Sequence, residues 1–376
     1  MKIVGHAIVR FCPPDDSFLM LRLDAEGGLS GWGEMTGSGN DRAAVAFAED
    51  ALRGLMGGNA LDMPARMADF HRYRVPPLRD RCAVTAWSAV NQALWDIAAR
   101  ARGVPLYTLL GDGRRTGVPL YANLNRGLLR DRSVAAFARN AEDALASGFA
   151  FAKATPLDEA TPAADAPAVL DAAKARLAAI YAAVGTERVA IDGHWRLNPR
   201  LAENFMGWQA RHGRLYWMED ILDSTLPDAT VAEFRHGFPG VTWAGGEDAA
   251  HPLDARRLLD GPARPDVFMP DIKHLCGLDV VGDLLAHART RGCGLSLHNP
   301  SGPVSTAFSA HLCAAVAADR PLEFCFRAVP GRERLTTPVE PTENGTYFVP
   351  DAPGIGIVPS ADALERFGTT LSEGSE

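Results

Sequence analysis

The feature that most constrains the fold is a regular placement of ionisable residues at the ends of apolar segments. These residues follow one another at intervals of 24 to 28 positions: Asp192, Glu219, Glu247, Asp271, His298 and Glu323. Such an interval is about the length of one strand–helix unit, and Ala-rich segments with helical character separate the apolar runs. The pattern therefore predicts parallel strands whose carboxyl ends converge on one rim.

Eight apolar segments between residues 117 and 330 are candidate strands of this unit. They are "VPLYANL", "GFAFAKAT", "RVAIDGH", "LYWMED", "TWAGGED", "DVFMPD", "GLSLHN" and "PLEFCF". Eight strand–helix steps in about 210 residues predict an α/β protein with a (β/α)8-type barrel, whose functional groups gather at the carboxyl ends of the strands. A doubly wound sheet is the alternative, but its Gly-rich phosphate-binding turn is not matched by the glycines of "GGLSGWG".

The segments on either side of the predicted barrel have a different rhythm. Residues 1–116 begin with three candidate strands, "KIVGHAIVRF", "FLMLRLDAEGG" and "LSGWGEM", and continue with helices, the longest in "CAVTAWSAVNQALWDIAARARG". This arrangement predicts an α+β module. Residues 331–376 contain a candidate hairpin, and this tail can return to the first module.

Composition narrows the range of partners. The net charge of −8 and the pI near 5.7 argue against nucleic acid or an anionic membrane. The six cysteines are scattered without a CxxC pair, which favours reduced thiols over disulfides or zinc. The N-terminus reads as a strand, and no run of about 18 apolar residues is present. We expect a cytoplasmic homo-oligomer that acts on a small molecule and has no nucleic-acid or membrane partner.

Three of the recurring acids, Asp192, Glu219 and Glu247, fall on successive predicted strands. Carboxylates suit a hard cation, so the pattern predicts one Mg²⁺ ion per subunit, and the lack of cysteine in the set disfavours zinc or copper. A single acid at a strand end is more often a helix N-cap. The recurrence on strand after strand favours a functional rim.

The next two positions, Asp271 and His298, make a carboxylate–histidine pair. A carboxylate fixes the tautomer of its imidazole and raises its basicity, which predicts a general base. His194 lies two residues after Asp192, so strand alternation predicts that both face the same mouth. His194 is then an acid–base group, and a structural histidine under the rim is the alternative.

These residues, together with "SAVNQALWDIAARARGVPLYTLLG", "HNPSGPV" and "PDAPGIGI", resemble the mandelate racemase branch of the enolase superfamily over nearly the whole chain. The resemblance implies that residues 1–116 cap the barrel mouth, with loops near residues 13–17 and 37–41 contacting substrate and residues 331–376 completing the cap. It also implies proton abstraction α to a carboxylate and a Mg²⁺-stabilised enediolate. Glu323, protonated or near-neutral, would help by donating a hydrogen bond.

The second predicted barrel strand differs in sequence from the same strand of the racemases in this branch. They usually carry Lys-x-Lys there, whereas this chain has Lys153 and then Thr155. The Asp-x-His of the third strand is similar to that of acid-sugar dehydratases such as galactonate dehydratase. That similarity implies that His298 removes the C2 proton while Asp271 orients it. His194 would protonate the departing C3 hydroxyl to give a 2-keto-3-deoxy acid, with Lys153 contributing positive charge near the substrate.

Two other functions fit the same residues. A racemase or epimerase would use Lys153 and His298 as bases on opposite faces of the substrate. A catalytically silent homologue would bind the metal and a carboxylate without turnover, an alternative that Thr155 keeps open. Epimerisation in heavy water gives labelled substrate of inverted configuration, whereas dehydration gives a keto acid.

Overall fold

The structure, a computed structural model, describes residues 1–62, 80–113, 116–327 and 329–375. It opens with an antiparallel meander of β1 (Ile3–Phe11), β2 (Phe18–Ala25) and β3 (Leu29–Glu34). The turn between β2 and β3 runs through Gly27 and Gly28, both with φ near +80°, a backbone conformation that glycine adopts without steric cost. This meander is the sheet of the capping module.

Two helices pack against the meander: α1 (Asp41–Leu55) and α2 (Arg81–Arg102). The side chain of Asp80 caps the start of α2, and Gly103 ends it in a left-handed conformation, which glycine adopts readily. The helix comes so close to β3 that a Cβ on Gly33 would lie 2.0 Å from the carbonyl oxygen of Ala89. Glycine is therefore required at that position. A short helix, α3 (Tyr107–Leu110), leads to the barrel.

Strands and helices alternate from residue 117 to residue 325. They are β4 (Gly117–Asn123), α4 (Val134–Ala146), β5 (Ala152–Ala154), α5 (Asp171–Val184), β6 (Val189–Asp192), α6 (Pro199–His212), β7 (Met218–Glu219), α7 (Asp228–His236), β8 (Trp243–Gly245), α8 (Pro252–Asp260), β9 (Val267–Phe268), α9 (Leu278–Thr290), β10 (Gly294–Leu295), α10 (Pro303–Ala315) and β11 (Leu322–Cys325). The eight strands coincide with the eight segments predicted from the sequence.

These eight strands are parallel and close on themselves. Each of β4 to β9 pairs with the next strand, and β11 pairs in parallel with β4. The gap between β10 and β11 is bridged by the backbone N–H groups of Arg320 and Glu323, which donate to the carbonyls of Leu295 and Leu297 at 3.2 and 3.4 Å. The result is a closed barrel under an α+β cap, as predicted, and not a doubly wound sheet.

An aromatic plug fills the barrel below the site. Tyr121 stacks on Phe151 with ring centroids 4.7 Å apart, and Trp217 meets Tyr121 edge-on at 5.2 Å. All three side chains are fully buried. Because side chains alternate across a strand, the residues two positions further along point into the barrel above the plug. In β5 and β7 those residues are Lys153 and Glu219.

In the described part of the chain, no α-helix lies between the eighth barrel strand, β11, and the next strand. Beyond it come β12 (Thr336–Thr337), β13 (Thr342–Glu343), β14 (Thr346–Phe348), β15 (Val358–Pro359), α11 (Ala361–Phe367) and β16 (Gly368–Ser375). Strand β14 pairs antiparallel with β4 of the barrel, and β16 pairs antiparallel with β1 of the cap. The tail thus joins both parts of the molecule. None of the described helices combines the length and hydropathy needed to cross a membrane.

Candidate active site

Three buried carboxylates form the centre of the barrel mouth. Asp192 and Glu219 end β6 and β7, and Glu247 lies just beyond β8. Each offers one oxygen within 4.8 Å of the others. The set is all oxygen, so its chemistry fits a hard divalent cation. Burial and the carboxylates of Asp192 and Glu247 raise the pKa of Glu219 well above its ordinary value although Lys153 lowers it, and a bound cation would favour the ionised form. These are the three ligands predicted from the sequence, and the structure brings them together.

Lys153 is the cation of this centre. Its Nζ lies 3.0 Å from both oxygens of Glu219, 3.0 Å from Glu323 Oε1 and 3.6 Å from Asp192 Oδ2. Burial lowers the pKa of this lysine, but the carboxylates of Glu219 and Glu323 outweigh it and hold the pKa well above the ordinary value. Lys153 is therefore an ammonium group held among carboxylates, without a lone pair to accept a proton.

The predicted carboxylate–histidine pair is formed. His298 Nδ1 donates to Asp271 Oδ2 at 3.0 Å, and its Nε2 lies 2.5 Å from Glu247 Oε2. Burial lowers the pKa of His298, yet the neighbouring carboxylates, Glu247 first, raise it well above its ordinary range. The Nδ1 contact fixes the ring, so that Nε2 is the nitrogen turned toward the three-carboxylate centre.

Asp271 also has a second cationic partner, Lys273. The lysine Nζ lies 2.9 Å from Oδ1 and 2.6 Å from Oδ2. Burial raises the pKa of Asp271, but the Lys273 ammonium and the neighbouring histidines, His274 and His298, hold it well below its usual range. The carboxylate facing His298 is thus ionised. The sequence interpretation did not include Lys273, although Asp-x-Lys at a strand end has the same spacing as the Asp-x-His that marked residues 192–194.

Glu323 is held from three sides by its hydrogen-bond and ion-pair partners. Its Oε1 accepts from Asn123 Nδ2 at 2.6 Å and lies 3.0 Å from Lys153 Nζ, and its Oε2 accepts from the backbone N–H of Asn299 at 2.8 Å. Burial raises the pKa of Glu323, but Lys153 and His298 lower it below the ordinary value. Both oxygens accept hydrogen bonds in this arrangement, and the hydrogen-bond donation to substrate that the resemblance implies for Glu323 stays a prediction.

His194 reaches the mouth by a route that strand alternation does not describe. Strand β6 ends at Asp192, and His194 and Trp195 follow in left-handed conformations with φ of 46° and 54°. This turn places His194 Nε2 2.9 Å from Asp192 Oδ2, with 40% of the side chain exposed. Burial lowers the pKa of His194, but its hydrogen bond to Asp192 and the charge of that carboxylate raise it overall. The imidazole is therefore held more protonated than a free histidine.

One cavity of about 380 Å³ joins these groups. It is lined by Asp192, Glu247, His194 and His298, by Thr155, Asn123 and Asn125, and by Arg126, Arg132 and Arg196 among others. Arg126 contacts Asp16 at 2.5 Å, so a loop of the cap reaches the mouth, as predicted for residues 13–17. Thr155 Oγ1 accepts from Asn125 Nδ2 at 2.6 Å, and the Thr155 side chain carries no group that could act as a base. The volume of this cavity is in the range of small-molecule sites.

A capped parallel barrel with acids on three successive strands and an Asp–His pair on the next two defines a class of barrel enzymes with their site at the carboxyl ends of the strands. Residues 8–111 match the family model described as "Mandelate racemase / muconate lactonizing enzyme, N-terminal domain", and residues 136–363 match "Enolase C-terminal domain-like". The chain belongs to the enolase superfamily, in its mandelate racemase branch, which confirms the resemblance read from the sequence.

Individual relatives agree with this assignment. The chain is 27% identical to a D-gluconate dehydratase of Thermoproteus tenax over 94% of this chain and 70% of that protein. It is 26% identical to the D-mannonate dehydratase CC0532 of Caulobacter vibrioides over 95% and 92% of the two chains. A solved structure of a member of the enolase superfamily from Salmonella Typhimurium superposes with a TM-score of 0.84 at 22% identity, covering both chains completely, and shows the shared fold.

Proposed function

We propose that this protein is a Mg²⁺-dependent acid-sugar dehydratase that converts an aldonate or aldarate to a 2-keto-3-deoxy acid. The observation that carries the proposal is that His194 and His298 line one cavity with Asp192 and Glu247. A β-elimination needs both a base for the carbon acid and an acid for the hydroxide that leaves. The dehydratase names of the relatives support the same reaction class.

The ligands of the ion would be Asp192, Glu219 and Glu247, whose oxygens already lie together. A bound Mg²⁺ supplies positive charge where the substrate carboxylate becomes an enediolate. The ammonium group of Lys153 lies 3.0 Å from Glu219 and adds a second positive charge on the side of β5. The Lys153 charge favours the dianionic intermediate more than the substrate, and this difference lowers the activation barrier.

Proton abstraction falls to His298 Nε2. Asp271 accepts the Nδ1 proton at 3.0 Å, so the ring keeps its orientation, and the imidazolium that forms is stabilised by the ionised carboxylate. Nε2 faces Glu247 Oε2 at 2.5 Å, and the imidazole that carries its only ring proton on Nδ1 is the form that can act as the base. Nε2 then takes the C2 proton, and the electron pair of the C2–H bond moves into the enediolate.

Loss of the C3 hydroxyl falls to His194. The C3–O bond breaks, its electron pair leaves with the oxygen, and the imidazolium of His194 supplies the proton that turns the leaving group into water. The electron pair of the enediolate forms the C2–C3 double bond. The resulting enol tautomerises to the keto acid by gaining a proton at C3 and losing the proton of its C2 hydroxyl. The hydrogen bond from Nε2 to Asp192 at 2.9 Å keeps His194 at the mouth and favours its protonated form.

The structure gives the epimerase alternative little support. Epimerisation needs a second base opposite His298, and the two candidate positions on β5 and its loop are Lys153 and Thr155. The ammonium group of Lys153 contacts the carboxylates of Glu219 and Glu323. Thr155 has only a hydroxyl, which accepts from Asn125. Neither group is placed as a base in this arrangement.

The experiment is a screen of a library of aldonates and aldarates with the purified protein and Mg²⁺ in heavy water. Keto acids are detected as semicarbazones, and deuterium at C2 of the remaining substrate is read by NMR. We expect one or a few acids to give a keto acid, and the His298→Asn protein to give none. Labelled substrate of inverted configuration without keto acid would establish an epimerase instead, and binding without turnover or exchange would establish a silent homologue.

A further inference from the structure

We propose that Lys273 is a positioning residue for the reaction, fixing the Asp271 carboxylate against His298 and tying it to the loop that carries this base. It does not line the substrate cavity and acts through Asp271. The inference rests on the proposed function, because Lys273 is expected to affect the rate of that reaction. The contacts of Lys273 do not depend on which substrate is converted.

Lys273 is buried, with only 2% of its side chain exposed, and its ammonium group makes three short contacts. Two go to Asp271, at 2.9 Å to Oδ1 and 2.6 Å to Oδ2, and the third goes to Ser301 Oγ at 2.5 Å. A buried ammonium group is costly unless it is paired and hydrogen-bonded. Among the described residues, Asp271 is the one carboxylate in ion-pair contact with it, so the lysine is placed for that group.

The contacts leave the Asp271 carboxylate little freedom to turn. Oδ1 accepts from the backbone N–H and the Nζ of Lys273, at 2.8 and 2.9 Å. Oδ2 accepts from Nζ at 2.6 Å and from His298 Nδ1 at 3.0 Å. The plane of the carboxylate therefore fixes the plane of the imidazole, because a charged hydrogen bond of this kind depends strongly on direction. Lys273 also takes up part of the charge of Asp271, so that His298 alone does not neutralise it.

The contact with Ser301 connects the end of β9 to the loop between β10 and α10, which carries His298 three residues earlier. The same loop is held from two other sides. Glu323 accepts from the backbone N–H of Asn299 at 2.8 Å, and Glu34 of the cap accepts from the backbone N–H of Gly302 at 2.7 Å. Lys273 is thus a second side-chain connection, beside His298 itself, between this loop and the carboxylate of the dyad. Outer partners of this kind typically change activity by about 10- to 100-fold.

The test compares four variants of the full-length protein with Mg²⁺. Lys273→Met removes the ammonium group, Lys273→Arg keeps the charge, and Ser301→Ala removes only the tie to the loop. Lys174→Met is the matched control, because this lysine on α5 contacts only Asn204, at 2.9 Å, among the bonds of the described residues. We expect kcat to fall about 10- to 100-fold in Lys273→Met with KM within about threefold, partial recovery in Lys273→Arg, and a smaller loss in Ser301→Ala. A kcat equal to that of the Lys174→Met protein would overturn the proposal, as would an equal loss in Lys273→Met and Lys273→Arg.

A second readout does not depend on turnover. The proton on His298 Nδ1, shared with an ionised buried carboxylate, should give a downfield proton resonance that is absent from the His298→Asn protein. We expect this resonance to be displaced or lost in folded Lys273→Met and close to its wild-type position in Lys174→Met. An unchanged resonance in Lys273→Met would overturn the positioning role. If no acid sugar is converted, the proposed function fails, and this resonance still decides whether Lys273 holds the dyad.

Discussion

Replacement of His194 by Asn separates the two halves of the proposed reaction. The imidazole is the group at the mouth that can protonate the C3 hydroxyl, and general acid catalysis contributes about 10² to 10⁴ in rate. Asn keeps a polar side chain of similar reach but cannot transfer a proton at neutral pH. Keto-acid formation should therefore fall by about that factor, whereas the base His298 and its partner Asp271 are untouched.

The effect on the metal centre should be much smaller, for a structural reason. Asp192 loses one hydrogen bond, the 2.9 Å contact with His194 Nε2, but keeps the backbone N–H of the same residue, which donates to Oδ1 at 3.0 Å. One hydrogen bond to a charged group contributes about 1.5–3 kcal/mol. Because the asparagine amide can replace part of it, we expect Mg²⁺ affinity to change by no more than about tenfold, which is about 1.4 kcal/mol.

The assay follows both steps in heavy water on the best substrate of the screen. Wild-type protein should convert substrate to keto acid with little deuterium returned to C2. The His194→Asn protein should return deuterium to C2 at a rate within about tenfold of the wild-type turnover, because the enediolate forms and is reprotonated by His298. Keto-acid formation at the wild-type rate would refute the acid role of His194. Equal loss of exchange and elimination would refute the division of labour between the two histidines.

Three further predictions concern the other groups of the site and one buried histidine. Glu219→Gln removes a charged ligand, so Mg²⁺ affinity measured by calorimetry should fall more than about 100-fold with the fold intact by circular dichroism; unchanged affinity would mean that other residues hold the metal. His298→Asn should abolish C2 exchange and Asp271→Asn should reduce it about 10- to 100-fold, and undiminished exchange in His298→Asn would move the base role to Lys153. Burial lowers the pKa of His311 to about 4 in the folded protein, below the unfolded value of about 6.5, so the folded state binds fewer protons and stability is lost as pH falls from about 6.5 toward 4. Relative to His311→Gln, wild-type protein should lose about 2 kcal/mol of unfolding free energy between pH 7 and pH 5 in urea titrations, and parallel losses would contradict the shift.

The sequence by itself determined the barrel and the composition of its rim. The interval of 24 to 28 residues between Asp192 and Glu323 reports the length of one strand–helix unit, and that length is a local property of the chain. Apolar alternation then decides which residues face inward, so an acid two positions beyond a plug residue such as Trp217 must lie above the plug. These short-range regularities are sufficient to predict the three carboxylates and the Asp271–His298 pair as neighbours.

The tertiary structure decided what each of these groups is bonded to. His194 comes back to Asp192 through two left-handed residues, a backbone choice that hydrophobic periodicity does not encode. Lys153 and Asn299 lie 170 and 24 positions from Glu323 in the sequence, yet both contact its carboxylate. Together these contacts favour the ionised carboxylate of Glu323, which accepts hydrogen bonds, over a near-neutral form that donates one. The contact of Lys273 with Ser301 and the pairing of β16 with β1 likewise join segments distant in sequence. Charge state and orientation depend on partners brought together across the barrel, because electrostatic interactions follow distance in space and burial, whereas periodicity follows distance along the chain.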